Sequence, residues 1–247
     1  MLKLRWTDLT VIAVCMGAAA LTAAGQTPSS APAVPAVPAA PALQAVISYE
    51  TRQVTKAGIT RVETWQENMQ RQGDTLWTER ILPSHAGSSE HAGHRHDAKP
   101  KASHKHLDTD VAARWLQKDS SGALSLRYVD KDEKVVVSIP KAEFGTVGFD
   151  GRWDTAAYLV PPDLVAKMKP AGAGPNGGVW RVEKAKDWTH RVLWSEAQQI
   201  ALRVESKKTD GSFSRTIRVQ PSAVTSAIRP WAKLADFGQK KYDDYMD

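Results

Sequence analysis

The sequence predicts a mainly β protein, built as an antiparallel curved sheet or half-barrel of about nine strands with two or three short helices. One observation is the two-residue alternation of apolar and polar side chains across much of residues 45–247. The other is the short spacing of turn residues, at Gly58, Gly73-Asp74, Ser121-Gly122, Asp150-Gly151 and Asn176-Gly177-Gly178. Short, closely spaced strands favour an antiparallel meander over a parallel α/β sheet.

The first residues have the layout of a secretory signal. Lys3 and Arg5 precede an apolar run over 9–21, and small residues follow up to Gly25, so we predict a signal peptide over residues 1–25. The apolar run is shorter than the roughly 18 to 20 residues that a membrane-spanning helix needs. We therefore expect an exported protein that does not span a membrane, periplasmic or alternatively extracellular.

Composition narrows the chemistry of the mature protein. Cys15 is the only cysteine and would leave with the signal, which excludes disulfides, thiolate metal sites and cysteine nucleophiles. Val14 before it is not the small residue that a lipoprotein cleavage site prefers, which argues against lipidation. Loss of the signal lowers the net charge from +6 to +5, so the exported body stays basic. We interpret this surplus first as ordinary surface charge that aids solubility; contact with an anionic envelope surface is the alternative, and nucleic acid is not expected after export.

An Ala/Pro-rich segment over residues 26–44 separates the signal from the rest. Its prolines hold the backbone extended and remove hydrogen-bond donors, so we predict a disordered linker. They are Pro28, Pro32, Pro35, Pro38 and Pro41. Residues 45–247 are long enough to bury one core and are predicted to form a single β-rich domain with a His-rich loop insertion at 84–106.

The clearest strands flank Asp210-Gly211. Ile200, Leu202 and Val204 alternate with polar or small residues before this pair, and Phe213, Ile217 and Val219 do so after it. Asp-Gly supplies the backbone angles of a tight turn, which predicts a β-hairpin. Further strands are predicted at 46–54, 60–69, 75–82, 123–129, 133–139, 179–184 and 190–196.

Helical signals are few. Asp110 is a candidate cap for a helix whose apolar face holds Val111, Ala112, Trp115 and Leu116, and Pro162-Asp163 predicts a second helix start. Residues 231–247 carry apolar side chains at three- or four-residue steps, which predicts an amphipathic end helix. We expect it to dock on the protein's own sheet, with recruitment of a partner as the alternative.

Six of the seven histidines fall within 22 residues, in a stretch without large apolar residues that is predicted to be a mobile loop. They are His85, His91, His94, His96, His104 and His106. Imidazoles at this spacing can wrap Zn, Cu or Ni, although the neighbouring lysines and arginine disfavour a fixed dication site. A neutral insertion and a proton-sensitive loop are the alternatives. The remaining histidine, His190, begins a strand and is interpreted as structural.

Eight tryptophans follow the signal, several of them in predicted strands. They are expected to fill the concave face of the sheet or to line a pocket for an apolar ligand; stacking on sugars or bases is a lesser alternative. The chain contains no nucleophile elbow, zincin motif, phosphate loop or dinucleotide fingerprint, and its paired carboxylates stand in loops without a histidine partner. We therefore expect a protein that is not an enzyme and needs no cofactor.

Residues 191–219 read RVLWSEAQQIALRVESKKTDGSFSRTIRV. This stretch resembles the C-terminal sheet of the periplasmic lipoprotein-carrier superfamily, which includes the LolA carrier and the lipid-binding half of the RseB stress regulators. In that family a strand ending in Trp-x-Asp, a turn, an apolar strand and an Asp-Gly hairpin follow in order. Here Glu196 replaces the Asp, and Gln198-Gln199 replaces a Thr-Gly turn. The resemblance implies an unclosed antiparallel barrel with helices over its mouth and an apolar interior that holds acyl chains or a hydrophobic partner.

These expectations combine into one functional hypothesis. The chain is predicted to be an exported, monomeric envelope protein that binds a hydrophobic or amphiphilic ligand, or a lipidated partner, in a curved β-sheet and without catalysis. The alternative hypothesis is a periplasmic transition-metal binding or buffering protein that acts through the histidines of residues 84–106.

Overall fold

One sheet dominates the structure, a computed structural model that describes residues 40–83, 107–224 and 229–245. The strands are β1 (Leu43–Val54), β2 (Thr60–Gln72), β3 (Thr75–Ile81), β4 (Ala113–Lys118), β5 (Leu124–Asp130), β6 (Val135–Ile139), β7 (Lys169–Ala173), β8 (Val179–Ala185), β9 (Trp188–Ser195), β10 (Ile200–Lys208), β11 (Phe213–Ser222) and β12 (Gly238–Lys241). Their order across the sheet is β12-β6-β5-β4-β3-β2-β1-β11-β10-β9-β8-β7. All neighbours are antiparallel except β12, which runs parallel to β6.

The described helices are short. Helix α1 (Trp153–Tyr158) and helix α2 (Pro162–Lys167) lie between β6 and β7 in the chain. Four 3₁₀ turns occur in the described residues, at Lys141–Glu143, Pro175–Gly177, Pro230–Lys233 and Asp243–Tyr245. Helix α2 begins where Pro162-Asp163 predicted it, because proline at the first helical position loses no hydrogen bond and has a preset φ.

The predicted fold class is confirmed: a mainly β chain with one open, curved antiparallel sheet and few helices. The described residues hold twelve strands instead of nine, since β4, β7 and β12 were not predicted. The helix predicted after Asp110 is wrong, because that segment becomes β4 and pairs with both β3 and β5. Its adjacent Trp115 and Leu116 point to opposite faces of the sheet, and apolar groups cover both faces. Pairing and two-sided burial outweigh the helical spacing.

One face of the sheet, here called the inner face, carries the main core. Alternate residues Leu43, Ala45, Ile47 and Tyr49 of β1 are buried on it. Residues paired directly across neighbouring strands share a face, which extends the inner face over the sheet. It includes Met69, Leu76, Leu116, Leu126, Ile139 and Val219. The segment between β6 and β7 packs against this face through Phe144, Phe149, Trp153, Ala157 and Val165.

The opposite, outer face has a second core under the C-terminal segment. Trp77, Ala113, Val129 and Val136 are buried there with Leu234. Trp115, Trp231 and Phe237 pack around them. The predicted end helix is wrong, because residues 229–245 form two 3₁₀ turns and strand β12. Docking on the protein's own sheet is observed, since β12 adds to the edge of β6.

The two ends of the sheet differ. At the helix-capped end, the turns over 73–74, 119–123 and 196–199 lie on the side where β6 leads into the helical segment. At the hairpin end, the strands are joined by turns over 55–59, 131–134, 186–187 and 209–212. Pro83 and Leu107, which flank residues 84–106, belong to the hairpin end because β3 ends and β4 begins there.

Arg71 holds several segments together at the helix-capped end of the sheet. Its side chain is fully buried, at 0% exposure, and its guanidinium lies 5.1 Å from the centre of the Tyr158 ring. Burial lowers the pKa of Arg71. Its Nη atoms donate to the backbone carbonyl oxygens of Pro41, Ala157, Gln198 and Gln199, at 3.3, 2.7, 2.6 and 2.9 Å. One side chain thereby joins β2 to the segment before β1, to α1 and to the turn after β9.

The predicted Asp210-Gly211 hairpin is confirmed between β10 and β11. Gly211 has a φ of +73°, and the Asp210 carboxylate accepts hydrogen bonds from the Ser212 amide and hydroxyl at 2.9 and 2.7 Å. A β-bulge between Ala201 and Arg203 breaks the alternation of β10. Ala201, which the predicted alternation with Ile200 and Leu202 would turn away from the core, is therefore fully buried.

Part of the predicted organisation lies outside the described residues. This holds for the signal peptide over 1–25, for the linker up to residue 39 and for the His-rich loop over 84–106. Strand β1 begins at Leu43, at the end of the predicted linker. In the described part of the chain, no helix has both the length and the hydropathy that crossing a membrane requires.

Candidate ligand-binding face

The inner face continues beyond the main core toward the hairpin end, and there its character changes. We call this part the inner band. Its side chains share the inner face by direct cross-strand register, and all of them except the buried Tyr49 are half-buried. Its members are Trp188 and His190 of β9, Ser206 of β10, Phe213 and Arg215 of β11, Tyr49 of β1, Trp65 and Glu67 of β2, Arg80 of β3 and Arg114 of β4.

A stacked aromatic pair occupies the middle of the inner band. Tyr49 and Trp65 face each other across β1 and β2, with ring centres 4.8 Å apart and planes inclined by 12°. The Tyr49 hydroxyl donates to Oε2 of Glu67 at 3.1 Å. Burial raises the pKa of Tyr49 well above its ordinary value, and the nearby Glu67 charge raises it further. Tyr49 therefore stays neutral and presents an apolar ring beside a polar group.

Arginines flank the stacked pair on both sides. The Arg215 guanidinium carbon lies 5.9 Å from the centre of the Tyr49 ring, and that of Arg80 lies 5.6 Å from the Trp65 ring. Arg114, next along the face, donates from Nε to the Thr78 hydroxyl at 3.2 Å. Burial lowers the pKa of Arg215, which reflects the cost of holding a charge away from water.

A second aromatic group lies on β9 and β11. Trp188 stacks on His190 at 5.7 Å between ring centres and meets Phe213 edge-on at 5.4 Å. His190 Nδ1 is 2.9 Å from the Ser206 hydroxyl oxygen. Burial lowers the pKa of His190, and the Glu183 charge opposes this in part. The prediction that His190 is structural agrees with these contacts, since stacking and a hydrogen bond satisfy its ring.

The tryptophans on strands are divided between the two faces of the sheet, whereas the prediction placed them on the concave face or around a pocket. Trp153 and Trp194 are buried in the main core, whereas Trp65 and Trp188 belong to the inner band. Trp77, Trp115 and Trp231 pack on the outer face under the C-terminal segment. The outer group exists because residues 229–245 fold back onto the sheet, which alternation within a strand cannot reveal.

The polar members of the inner band were not predicted from the sequence. Glu67 stands in phase with Trp65 and Met69, and Arg215 stands in phase with Phe213 and Ile217. A charged residue in the apolar phase of an alternating strand was the available signal, because such a residue must face the protein interior.

The predicted metal ligands are not brought together by the described structure. His85, His91, His94, His96, His104 and His106 all lie outside the described residues. Within residues 40–83, 107–224 and 229–245, no cluster of three or more His, Asp or Glu side chains has the arrangement of a metal site.

Comparison with known proteins gives structural neighbours only. No family model matches the sequence, and no curated protein does. The structure is similar to that of PNGF-II, with 10% identity, a TM-score of 0.36 and coverage of 82% of this chain; the chain spans about a third, 33%, of that protein. A LolA superfamily protein from Nitrosomonas europaea matches with 7% identity and a TM-score of 0.33, over 81% of this chain and 92% of the other. A structure from Vibrio parahaemolyticus named as an outer membrane lipoprotein-sorting protein domain matches with 11% identity and a TM-score of 0.29, over 78% and 89%. At these identities the three comparisons report structural likeness only.

Proposed function

We propose that this protein binds a hydrophobic or amphiphilic ligand, or the lipid of a lipidated partner, on the inner band, as a non-catalytic, monomeric envelope protein after export. The observation that carries the proposal is the half-buried state of Trp65, Trp188 and Phe213 on the face that elsewhere forms the sealed core. Partly exposed aromatic rings on a concave surface offer contact area to an apolar ligand at low entropic cost.

Binding of this kind needs no chemistry. Each methylene removed from water contributes about 0.8 kcal/mol, so an acyl chain lying along the inner band supplies affinity by area alone. Arg71 and the helical segment close the other end of the same face, which leaves the hairpin end as the side from which a ligand reaches the band. The closed end would limit how far such an acyl chain can extend along the inner face.

The hairpin end also exposes apolar side chains. Among the described residues, five large hydrophobic side chains are exposed, and four of them lie at this end: Ile59 (66%), Val62 (56%), Leu82 (55%) and Val111 (39%). Arg52 lies opposite Val62 in the strand register, Lys56 lies in the same turn as Ile59, and Arg61 follows that turn and forms an ion pair with Glu63. Apolar tips among positive charges favour contact with an anionic lipid surface, so the ligand would pass between that surface and the inner band.

The binding proposal is tested with a neutral apolar fluorophore, N-phenyl-1-naphthylamine. We expect enhanced fluorescence with the purified protein and about tenfold weaker binding for Trp65→Ala, because the stacked indole is a wall of the site. Trp231→Ala is the matched control, since Trp231 lies on the outer face. Absence of binding by the folded protein, or equal loss in both variants, would reject the proposal.

A transition-metal role is the second candidate, and its support comes from the sequence. Six histidines within residues 85–106 provide borderline nitrogen ligands for Zn, Cu or Ni. Calorimetry with each metal should give a dissociation constant in the micromolar range or tighter, and deletion of residues 84–106 should abolish the heat. A signal that survives the deletion excludes these histidines as the ligands.

A further inference from the structure

We infer that the inner band selects amphiphiles with an anionic head, a carboxylate or phosphate held among Arg80, Arg114 and Arg215. This inference rests on the proposed function, because it adds head-group selectivity to the same face. The inner band carries three guanidinium groups and one carboxylate, Glu67. Positive charge therefore exceeds negative charge on a surface that is partly removed from water.

The carboxylate of Glu67 forms a hydrogen bond with Tyr49, and no ion pair with Arg80 directly opposite is seen among the described residues. Glu67 pairs with Arg80 in the strand register, yet its Oε2 accepts the Tyr49 hydroxyl. Within the described residues, Arg80 contacts the Trp65 ring and Arg114 contacts Thr78, and neither forms an ion pair with a carboxylate. Two guanidinium groups on this face thus retain donors for a charged acceptor.

Arginines on the outer face of the sheet lie close to carboxylates. Arg191 and Arg203 lie 3.0 and 2.6 Å from the Glu205 carboxylate, and Arg218 lies 3.3 Å from Glu50. Outer-face arginines on β9, β10 and β11 are thus matched by acidic neighbours. Arg80 and Arg114 on the inner band differ from these outer-face arginines, because neither forms an ion pair with a carboxylate of the described residues.

The positions of the arginines and the aromatic rings suit an amphiphile with one anionic head and one acyl chain. Arg80 and Arg215 flank the two ends of the Tyr49–Trp65 stack, so an anionic head near either guanidinium leaves an acyl chain free to lie over the aromatic rings. Partial burial strengthens a charge-assisted hydrogen bond relative to water and penalises a head group that cannot accept one. A neutral head would leave the half-buried guanidinium groups of Arg80 and Arg114 without a charged acceptor.

The test compares two probes, 11-(dansylamino)undecanoic acid and its methyl ester. They share the same alkyl chain and the same fluorophore and differ only in the charge of the head group. We expect the acid to bind the purified protein about tenfold more tightly than the ester. The substitutions Arg80→Gln and Arg114→Gln should weaken binding of the acid about fivefold to tenfold and leave binding of the ester unchanged. Arg218→Gln, on the outer face, should change neither.

The outcomes separate the two claims. If neither probe binds, the proposed function fails; if both bind equally to the unaltered protein, or if Arg218→Gln acts like Arg80→Gln, only the head-group inference fails. Displacement of the acid by laurate, by dodecyl phosphate or by both supports the inference and identifies the preferred head. Equally effective displacement by acetate or inorganic phosphate overturns the amphiphile class, because the site would then hold small anions without a chain.

Discussion

Arg71 donates a 2.6 Å hydrogen bond to the backbone carbonyl oxygen of Gln198, which joins β2 to the turn between β9 and β10. The two residues are 127 positions apart in the chain, and no local rule links them. The same guanidinium holds the carbonyl oxygen of Ala157 in α1 at 2.7 Å. The helix-capped end is therefore closed by one buried charge that donates its hydrogen bonds to backbone carbonyl oxygens and lies over the Tyr158 ring.

Replacing Arg71 should destabilise the protein strongly. Arg71→Met keeps much of the side-chain volume but leaves carbonyl oxygens of three segments without their charged donor in a buried place. We expect the free energy of unfolding to fall by about 3 to 5 kcal/mol. Urea denaturation measures it, with Arg218→Met on the outer face as the control. A loss below about 1 kcal/mol would show that the carbonyl oxygens find other partners.

The C-terminal segment should contribute to stability through the outer core. Leu234→Ala removes a buried side chain packed with Trp77 and Val129, so we expect a loss of about 2 to 3 kcal/mol. Val224→Ala is the control, because Val224 is 40% exposed and should cost less than about 0.5 kcal/mol. Thermal unfolding of both variants checks the contrast. Similar shifts would mean that the segment is not held on the sheet in solution.

Contact with an anionic surface should depend on the β1–β2 turn. Ile59→Ser removes the most exposed large apolar side chain of the described residues and should weaken binding to phosphatidylglycerol vesicles about tenfold. Val224→Thr, at the helix-capped end, should leave that binding unchanged. Flotation with these vesicles, and with phosphatidylcholine vesicles as the neutral reference, measures the effect. Equal binding to both lipids would contradict the role of the basic residues.

His190 should make stability depend on pH below neutrality. Burial holds its folded-state pKa below the unfolded value of about 6.5, so the unfolded chain binds more protons in the window between the two values. Stability therefore falls as pH drops through this window, from the unfolded pKa to the lower folded pKa, and no longer changes through His190 below it. His190→Gln should remove this contribution, leaving a flatter curve of unfolding free energy between about pH 7 and pH 5. An identical pH dependence in both proteins would show that His190 does not contribute.

Binding of an apolar ligand should not require the His-rich stretch. Deletion of residues 84–106 leaves every member of the inner band in place, so the affinity for N-phenyl-1-naphthylamine should stay within about twofold of the unaltered protein. Fluorescence titration of the two proteins measures it. Loss of probe binding in a folded deletion variant would show that these residues take part in the ligand site.

Local patterns predicted the regular part of the sheet. Alternation within β1, β2, β9 and β11 and the Asp210-Gly211 turn were readable because a strand with one buried face has a period of two. Strand β4 was mistaken for a helix because its two adjacent apolar residues, Trp115 and Leu116, are buried on opposite faces. Strand β12 was missed because Gly238–Lys241 contains no alternation and gains its conformation from pairing with β6.

The candidate site was harder to predict from the sequence than the fold was. Trp65 and Phe213 were visible as aromatic residues, but their place beside Arg80 and Arg215 depends on strand order and register. The histidines of residues 84–106 drew attention because they cluster in sequence, whereas the inner band is collected from seven strands.

By itself, the sequence determined the β class, the principal hairpin and the excess of basic residues, because periodicity, turn chemistry and charge are local or additive properties. Only the tertiary structure decided that Arg71 closes one end, that the C-terminal segment covers the outer face and that arginines meet aromatic rings on the inner band. Those relationships join residues far apart in the chain, and their energies arise from burial and pairing that exist only when the strands are assembled.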